Sequence, residues 1–206
     1  MAPELVFLGV LVSMAVLFLL TLHQQRKEHE NLTALALRLG LELKVETKAM
    51  GLQAVRINGW REGRRVEVWG FTTGSGKSRR RWVAAGAHPR ECGSLTFRFD
   101  PQGLGTSLAE FFGAKEIQVG DRRFDEAWFI RTNRPDIFGA TLVPELREKM
   151  LELRDAGLKG AYRLENGRVM YVEEGTFASA RAVAHLEMVV PVLLLLTDVV
   201  EYCVRR

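Results

Sequence analysis

Residues 2–22 read APELVFLGVLVSMAVLFLLTL, the longest apolar stretch of the chain. Glu4 is its only ionisable side chain, and Ser13 and Thr21 are the hydroxyl side chains in its body. About 20 apolar residues, each rising about 1.5 Å in a helix, match the ~30 Å hydrocarbon core of a bilayer. The sequence therefore predicts a transmembrane anchor at residues 1–23, a juxtamembrane helix at 24–40 and one soluble domain at 41–206.

A cleavable signal peptide and a buried core helix are the alternatives for this stretch. A signal peptide starts with a positively charged region and has an apolar part of about 7–15 residues. No Lys or Arg precedes the longer stretch found in this chain. A core helix carries polar residues at shorter intervals, because apolar runs inside soluble domains are about 10–14 residues long. The pattern favours an anchor that is retained.

The charges next to the stretch predict its orientation. Arg26 and Lys27 follow it directly, whereas no basic residue precedes it. Positive charges concentrate on the cytoplasmic side of membrane spans. We therefore expect a protein of the cell membrane with its N-terminus outside and its domain in the cytoplasm.

Composition argues against several classes of function. Lys and Arg outnumber Asp and Glu by four, an excess that suits an anionic membrane surface but is too small to indicate nucleic acid. The two cysteines, Cys92 and Cys203, form neither a metal-binding spacing nor a disulfide framework. The sequence contains no motif for a cofactor or a metal ion.

Hydrophobic periodicity predicts an α+β domain of antiparallel strands packed against helices. A helical stripe of Leu32, Leu35, Ala36 and Leu39 ends at Gly40. Alternating residues predict strands, and Pro144 and Gly157 delimit a helix. Asn166-Gly167 is the strongest hairpin signal. The predicted strands are 41–46, 54–57, 65–71, 79–87, 94–99, 127–131, 162–165 and 168–172, with a turn at 58–63 and helices at 107–112, 143–156 and from 178 to near the C-terminus.

The last predicted helix contains a second apolar run, Val189–Leu196, and is expected to be interrupted at Pro191. Glu187 and Asp198 bracket that run and leave about ten residues, roughly half of what a bilayer requires. We expect a core helix that covers the sheet.

Several segments together resemble uncharacterised, membrane-associated bacterial proteins. They are Ile57-Asn58-Gly59, Gly63-Arg64-Arg65-Val66, a G-D-x-x-F-D-x-x-F-like pattern in Val119–Phe129, and Leu142–Leu153, within a region from about Leu32 to Val200. The resemblance implies a bacterial envelope setting and the α+β fold above. It brings no activity, cofactor or catalytic residue.

Gly74-Ser75-Gly76-Lys77-Ser78 is similar to part of a phosphate-binding loop, G-x-x-x-x-G-K-[ST]. That motif needs a glycine where Phe71 stands, and it leads into a helix. The residues that follow Ser78 alternate as in a strand. The segment is therefore interpreted as the tip of a β-hairpin.

A cluster of cations at the same tip is the candidate binding site. We call it the basic hairpin; it consists of Lys77, Arg79, Arg80, Arg81 and Trp82. Arg64 and Arg65 are candidates to join it from the neighbouring strand. The simplest interpretation is a solvated hairpin with alternate arginines outward, and the alternative is docking on anionic headgroups, an acidic protein or, less favoured, nucleic acid.

Two further groups are candidate chemical sites. Asp121, Asp125 and Glu126 are clustered carboxylates that a metal ion or acid–base chemistry requires, although a turn and a helix cap explain them as well. His88 and Cys92 are four residues apart, but Pro89 between them favours a loop, and no third ligand stands near. His185 in the last helix is expected to be a core residue.

These observations favour a single-pass membrane protein whose non-catalytic domain binds a protein partner or the membrane surface, with no cofactor. A membrane-tethered enzyme of unknown reaction is the alternative hypothesis, with Asp121, Asp125 or His88 as its candidate groups.

Overall fold

Local sequence signals place most of the helices and strands, and a computed structural model gives their bounds for residues 3–47, 53–102 and 115–206. The helices are α1 (Pro3–Leu39), α2 (Arg122–Ala127), α3 (Pro135–Thr141), α4 (Pro144–Asp155) and α5 (Ala180–Val204). The strands are β1 (Glu42–Thr47), β2 (Gln53–Arg61), β3 (Arg64–Thr73), β4 (Arg80–Ala87), β5 (Phe97–Pro101), β6 (Lys115–Ile117), β7 (Trp128–Thr132), β8 (Ala161–Glu165) and β9 (Arg168–Glu174). The predicted α+β class is confirmed.

The strands of the described residues form one antiparallel sheet in the order β1-β2-β3-β4-β9-β8-β5-β7-β6. The first four strands are a meander, as the alternating patterns predicted. The β8–β9 hairpin then inserts beside β4, where Trp82 lies opposite Glu174 and Ala87 opposite Val169. The pairing of β4 with β9 therefore joins the strands of the first and second halves of the chain in a single sheet.

One face of the sheet carries the main core. Helix α5 packs on β3, β4 and β9, and α1 packs on β1, β2 and α5. Inward side chains such as Ile57, Val68 and Val83 are fully buried there together with the apolar side of α5. On the opposite face, a second and smaller apolar cluster consists of Ala84, Met170 and Val172, flanked by Trp69, Phe71 and Trp82.

Helix α1 contains 37 residues and joins the domain through its last turns. Leu32, Leu35, Ala36 and Leu39 are buried, so the predicted apolar stripe is confirmed. Each fully buried Leu contributes about 1.5–3 kcal/mol, enough to hold the end of α1 firmly on the sheet. Gly40 has φ +65° and ends the helix in the left-handed conformation that favours glycine.

Two turns are set by local backbone chemistry. Asn166 (φ 52°) and Gly167 (φ 71°) both adopt positive φ, as the predicted two-residue hairpin requires. The turn predicted at 58–63 is wrong in extent, because β2 continues to Arg61 and only Glu62 and Gly63 turn the chain. Pairing with β3 keeps Asn58 and Gly59 in the strand.

Helix α5 passes through Pro191 without interruption, so the predicted break there is wrong. Its side chains Val189, Val190, Leu193 and Leu196 are buried at 0 % exposure, which confirms a core helix. The packing on β4 and β9 holds the helix across the position where Pro removes one backbone hydrogen bond.

Some short elements were not predicted. Strand β6 and helix α3 have three and seven residues, too few to show a period. Strand β5 begins at Phe97 rather than Ser94. The helix predicted at 107–112 lies outside the described residues.

Candidate membrane-facing surface

The N-terminal half of α1 projects beyond the domain and exposes apolar side chains. From residue 9 to residue 22 every side chain is exposed. Phe7 is 66 % exposed, Phe18 63 % and Leu22 45 %. Soluble proteins rarely leave a continuous apolar surface of this size in water, and such a surface marks contact with a membrane or another protein.

Helix α5 is the one helix of the described residues whose length and hydropathy suffice for a membrane span. However, 67 % of its most apolar 18-residue window is buried inside the domain. Its apolar character is therefore explained by packing on the sheet. This result does not confirm the span expected at residues 1–23, which stays a prediction.

Helices α1 and α5 run in the same direction. The side-chain amide of Asn31 donates to the carbonyl oxygen of Phe177 (2.7 Å), just before α5, and Arg38 pairs with Glu187 further along (2.6 Å). The apolar half of α1 therefore projects from the end of the domain where α5 begins. We call this the proximal end.

The β3–β4 hairpin lies at the proximal end. Strand β9 leads into α5 there, and the N–H of Gly175 donates to the carbonyl oxygen of Arg81 on β4 (2.9 Å). Arg81 in turn pairs with Glu28 of α1 across 3.4 Å. The basic hairpin is thus attached to the helix only six residues after Leu22.

The tip of the hairpin has a fixed shape. Residues Gly76–Ser78 form one turn of 3₁₀-helix, in which the N–H and the hydroxyl of Ser78 both donate to the carbonyl oxygen of Ser75 (3.1 and 2.8 Å). Gly74 has φ +72°, and a Cβ atom there would meet the carbonyl oxygen of Ser78 at 2.4 Å. The segment leads into strand β4, so the interpretation as a hairpin tip is confirmed.

The cations of the basic hairpin differ in their partners. Arg80 and Arg81 lie near Glu174 (3.6 Å) and Glu28 (3.4 Å), on opposite faces of the sheet. Lys77 and Arg79 are exposed and make no ion pair with the described residues. The tip therefore presents its uncompensated positive charge to the outside.

Trp82 lies at the base of the hairpin on the face away from the helices. Its ring stacks on that of Phe71, with centroids 6.3 Å apart, and its Nε1–H donates to the hydroxyl of Thr73 (2.7 Å). The pair gives the proximal end an amphipathic aromatic group beside the cations.

The suggestion that Arg64 and Arg65 join the basic hairpin is wrong. Both lie at the opposite end of β3, where Arg65 faces Trp60. Arg64 is buried and donates to Glu201 (3.0 Å) and Asp198 (2.6 Å) of α5. This arrangement lowers the pKa of Glu201, mainly through the hydrogen bond from Arg64. Arg64 therefore stabilises the packing of α5 on the sheet and is not part of the basic hairpin.

The carboxylates near α2 make local hydrogen bonds and ion pairs that stabilise the fold. Asp121 caps α2 by accepting from the N–H of Phe124 (3.2 Å). Asp125 accepts from the N–H groups of Val119 (2.9 Å) and Gly120 (3.0 Å), and Glu126 pairs with the exposed Arg122. Among the described residues, no group of His, Cys, Asp and Glu is arranged to hold a metal ion.

We expect Asp125→Ala to lower the free energy of unfolding by about 0.5–2 kcal/mol, since it removes the acceptor of two backbone N–H groups. The matched Glu126→Ala removes only an exposed ion pair and should change it by less than about 0.5 kcal/mol. Thermal unfolding of the detergent-solubilised chain measures both. A rise of the wild-type Tm with Ca²⁺ or Mg²⁺ that Asp125→Ala abolishes would instead indicate a metal site.

His88 and Cys92 have different neighbours. The Nε2 atom of His88 lies 3.6 Å from Glu67, with which Arg65 and Arg168 also pair. Burial lowers the pKa of His88, and the two arginines lower it further against the opposing effect of Glu67. Cys92 is half-buried next to Gly167 of the β8–β9 turn.

The fold of this chain has a counterpart among solved structures. It is similar to that of a transport factor. The match is the crystal structure of the mycobacterial trehalose monomycolate transport factor A, TtfA, with a TM-score of 0.57 over 84 % of this chain and 93 % of that one. At 10 % identity the similarity to TtfA shows the fold alone. No family model and no curated protein sequence matches the chain.

The similarity to TtfA does not bear on the G-D-x-x-F-D-x-x-F-like pattern. The resemblance to uncharacterised bacterial proteins therefore stays a prediction. In the structure, the pattern supplies the cap and the turn of α2 together with the buried Phe124.

Sequence reasoning missed a buried polar cluster between β9 and α5. The carboxylate of Glu173 accepts from the hydroxyl of Tyr171 (2.6 Å) and lies 3.0 Å from Nδ1 of His185. The N–H of Gly160 donates to the same hydroxyl (3.0 Å), and burial raises the pKa of Tyr171. His185 is a core residue, as expected. The alternation of side chains along β9 could have predicted that Glu173 is buried, because it places Glu173 on the same, helix-facing side of the strand as Tyr171.

Proposed function

We propose that the chain is a single-pass membrane protein whose α+β domain is non-catalytic and binds its partner close to the membrane surface. One observation carries the proposal. Helix α1 is continuous from an exposed apolar half to a half that is buried in the domain. An anchor built this way holds the domain at a fixed position above the bilayer.

Two further observations support a binding role. The candidate chemical groups in the described residues serve the fold: Asp121 and Asp125 hold backbone N–H groups, and Glu173 and His185 are buried together. The fold is similar to that of a protein named as a transport factor, which agrees with a membrane-associated role. Arg26 and Lys27 next to the apolar half favour a cytoplasmic domain.

We expect the full chain to resist extraction from membranes at alkaline pH, and Val12→Lys with Leu17→Lys to abolish this. Each Lys at the centre of a span costs about 2.5–3.5 kcal/mol. The matched control is Leu37→Lys with Val143→Lys, two exposed apolar residues of the domain part, which should leave anchoring unchanged. Quantitative blotting of pellet and supernatant measures the outcome. A wild-type chain that washes off would refute the anchor.

Orientation is tested separately. In a chain with Cys92→Ser and Cys203→Ser, Arg206→Cys adds one exposed thiol at the end of the domain. A membrane-impermeant maleimide should label it only after the cells are opened. Labelling in intact cells would place the domain outside and direct the search to exported partners.

A further inference from the structure

We infer that the basic hairpin binds the phosphate groups of anionic lipids in the leaflet that α1 enters. The inference rests on the proposed anchor and names the ligand of the surface described above. It depends on four structural points: the height of the hairpin, its uncompensated charge, its aromatic base and its projecting shape.

The ion pair between Arg81 and Glu28 sets the height of the hairpin relative to the apolar half of α1. Glu28 follows Leu22 by six residues, which is about 9 Å along a helix. Beyond Arg81, two more residues of extended chain reach about 7 Å further, and Gly76–Ser78 then turn the chain back. These lengths bring Lys77 and Arg79, with their long side chains, within reach of the level of Leu22, where the proposed anchor would place the boundary between headgroups and hydrocarbon.

The charge at that level is available to a ligand. Lys77 and Arg79 form no ion pair with any described residue, and Arg26 and Lys27 add basic groups on α1. Arg26 pairs with Glu30 at 2.8 Å, but in an exposed position where such a pair is weak. A juxtamembrane group of cations is attracted to the negative potential of an anionic leaflet.

The aromatic base of the hairpin suits the interface between water and lipid. Trp82 presents an apolar ring that is stacked on Phe71, while its N–H is satisfied by Thr73. Tryptophan is enriched at membrane–water interfaces because one part of its ring system is apolar and the other polar.

The shape of the hairpin favours a lipid surface over a soluble phosphate compound. All residues from 72 to 81 are exposed, and the cations lie on a projecting turn. A site for a small anion is concave and surrounds its ligand with converging donors. A projecting turn instead meets a broad array of headgroups, and its 3₁₀ turn holds the cations in place.

The experiment uses the full chain in lipid nanodiscs, either of phosphatidylcholine or with added phosphatidylglycerol. A nitroxide label at Ser75→Cys, with Cys92→Ser and Cys203→Ser, reports contact with a water-soluble relaxation agent. We expect contact to fall about twofold or more in anionic discs, and the effect to weaken with salt.

Lys77→Glu with Arg79→Glu should abolish this protection. The matched control is Arg205→Glu with Arg206→Glu, which makes the same change in charge at the opposite end of the domain. If the label is equally accessible in both kinds of disc, or if the control loses protection as well, the inference is wrong. Equal protection by inorganic phosphate in neutral discs would show a site for soluble anions and also overturn it.

The two proposals fail in different ways. If the anchor is absent, the chain does not co-purify with the discs. If only the hairpin inference is wrong, the chain is incorporated and Ser75→Cys stays exposed in every lipid. Far-ultraviolet circular dichroism and the Tm of each variant test whether the domain stays folded, as we expect because the hairpin substitutions are all at exposed positions.

Discussion

Replacing Arg64 by Leu is expected to lower the free energy of unfolding by about 3–5 kcal/mol, because it leaves the buried carboxylate of Glu201 without its charged partner. The side chains of Arg64 and Glu201 are 9 % and 8 % exposed and lie 3.0 Å apart. Chemical denaturation of the detergent-solubilised chain, followed by near-ultraviolet circular dichroism, measures the change.

Two further variants serve as controls for Arg64→Leu. Arg65→Leu removes the neighbouring arginine, whose side chain is 54 % exposed, and should cost less than about 1 kcal/mol. Arg64→Leu combined with Glu201→Leu removes both charges and should recover much of the loss. A single Arg64→Leu as stable as the wild type would show that this pair does not fasten α5 to the β2–β3 turn.

The same pair predicts how stability depends on pH. The hydrogen bond from Arg64 lowers the pKa of Glu201 below its usual value of 4.5. A carboxyl group whose pKa is lower in the folded chain stabilises the fold above its unfolded pKa, and this contribution is lost as pH falls through the folded pKa. Below about pH 4.5 the wild type should therefore lose stability more steeply than Glu201→Gln. Equal slopes would contradict the pairing.

Phe99→Ala is the second substitution with a large expected effect, a loss of about 3–5 kcal/mol. Phe99 is fully buried at the centre of the aromatic core, and truncation to Ala leaves a cavity there. Its ring contacts those of Phe97, Phe124, Trp128, Phe138 and Tyr162. The denaturant midpoint in the same assay measures the loss.

The control for Phe99→Ala is Phe71→Ala on the opposite face of the sheet. Phe71 is half-buried and stacks only on Trp82 among the described aromatic rings, so its truncation should cost less than about 2 kcal/mol. Similar losses for the two variants would show that the second apolar cluster contributes as much to stability as the main core.

Local signals predicted most of the helices and strands, whereas the pairing of distant strands and the shortest elements depend on long-range packing. Alternation and turn residues located β1 to β4 and the hairpin at Asn166-Gly167, because those patterns arise within a few residues. The pairing of β4 with β9 brings together residues about 90 apart, for example Trp82 and Glu174, and no local pattern encodes it. The three residues of β6 are held by β7 rather than by their own periodicity.

The sequence predicted the local features of the candidate site but not its long-range contacts. The tip at Gly74–Ser78 and its cations are local features, so the sequence located the basic hairpin. Its attachment to α1 through Arg81 and Glu28 spans 53 positions and required the structure. The prediction for Arg64 was wrong because this residue begins β3, a whole strand away from the tip, and is buried there by its pairing with Glu201 of α5.

The unbroken helix α1 gives the molecule a mechanical property. Its 37 residues form a rod of about 55 Å, held at one end by the sheet and, on the proposed function, immersed at the other in lipid. A thinner bilayer tilts a span that is too long for it, and a stiff rod carries that tilt into the domain. Bilayer thickness would then set the angle at which the sheet stands and how far the hairpin reaches.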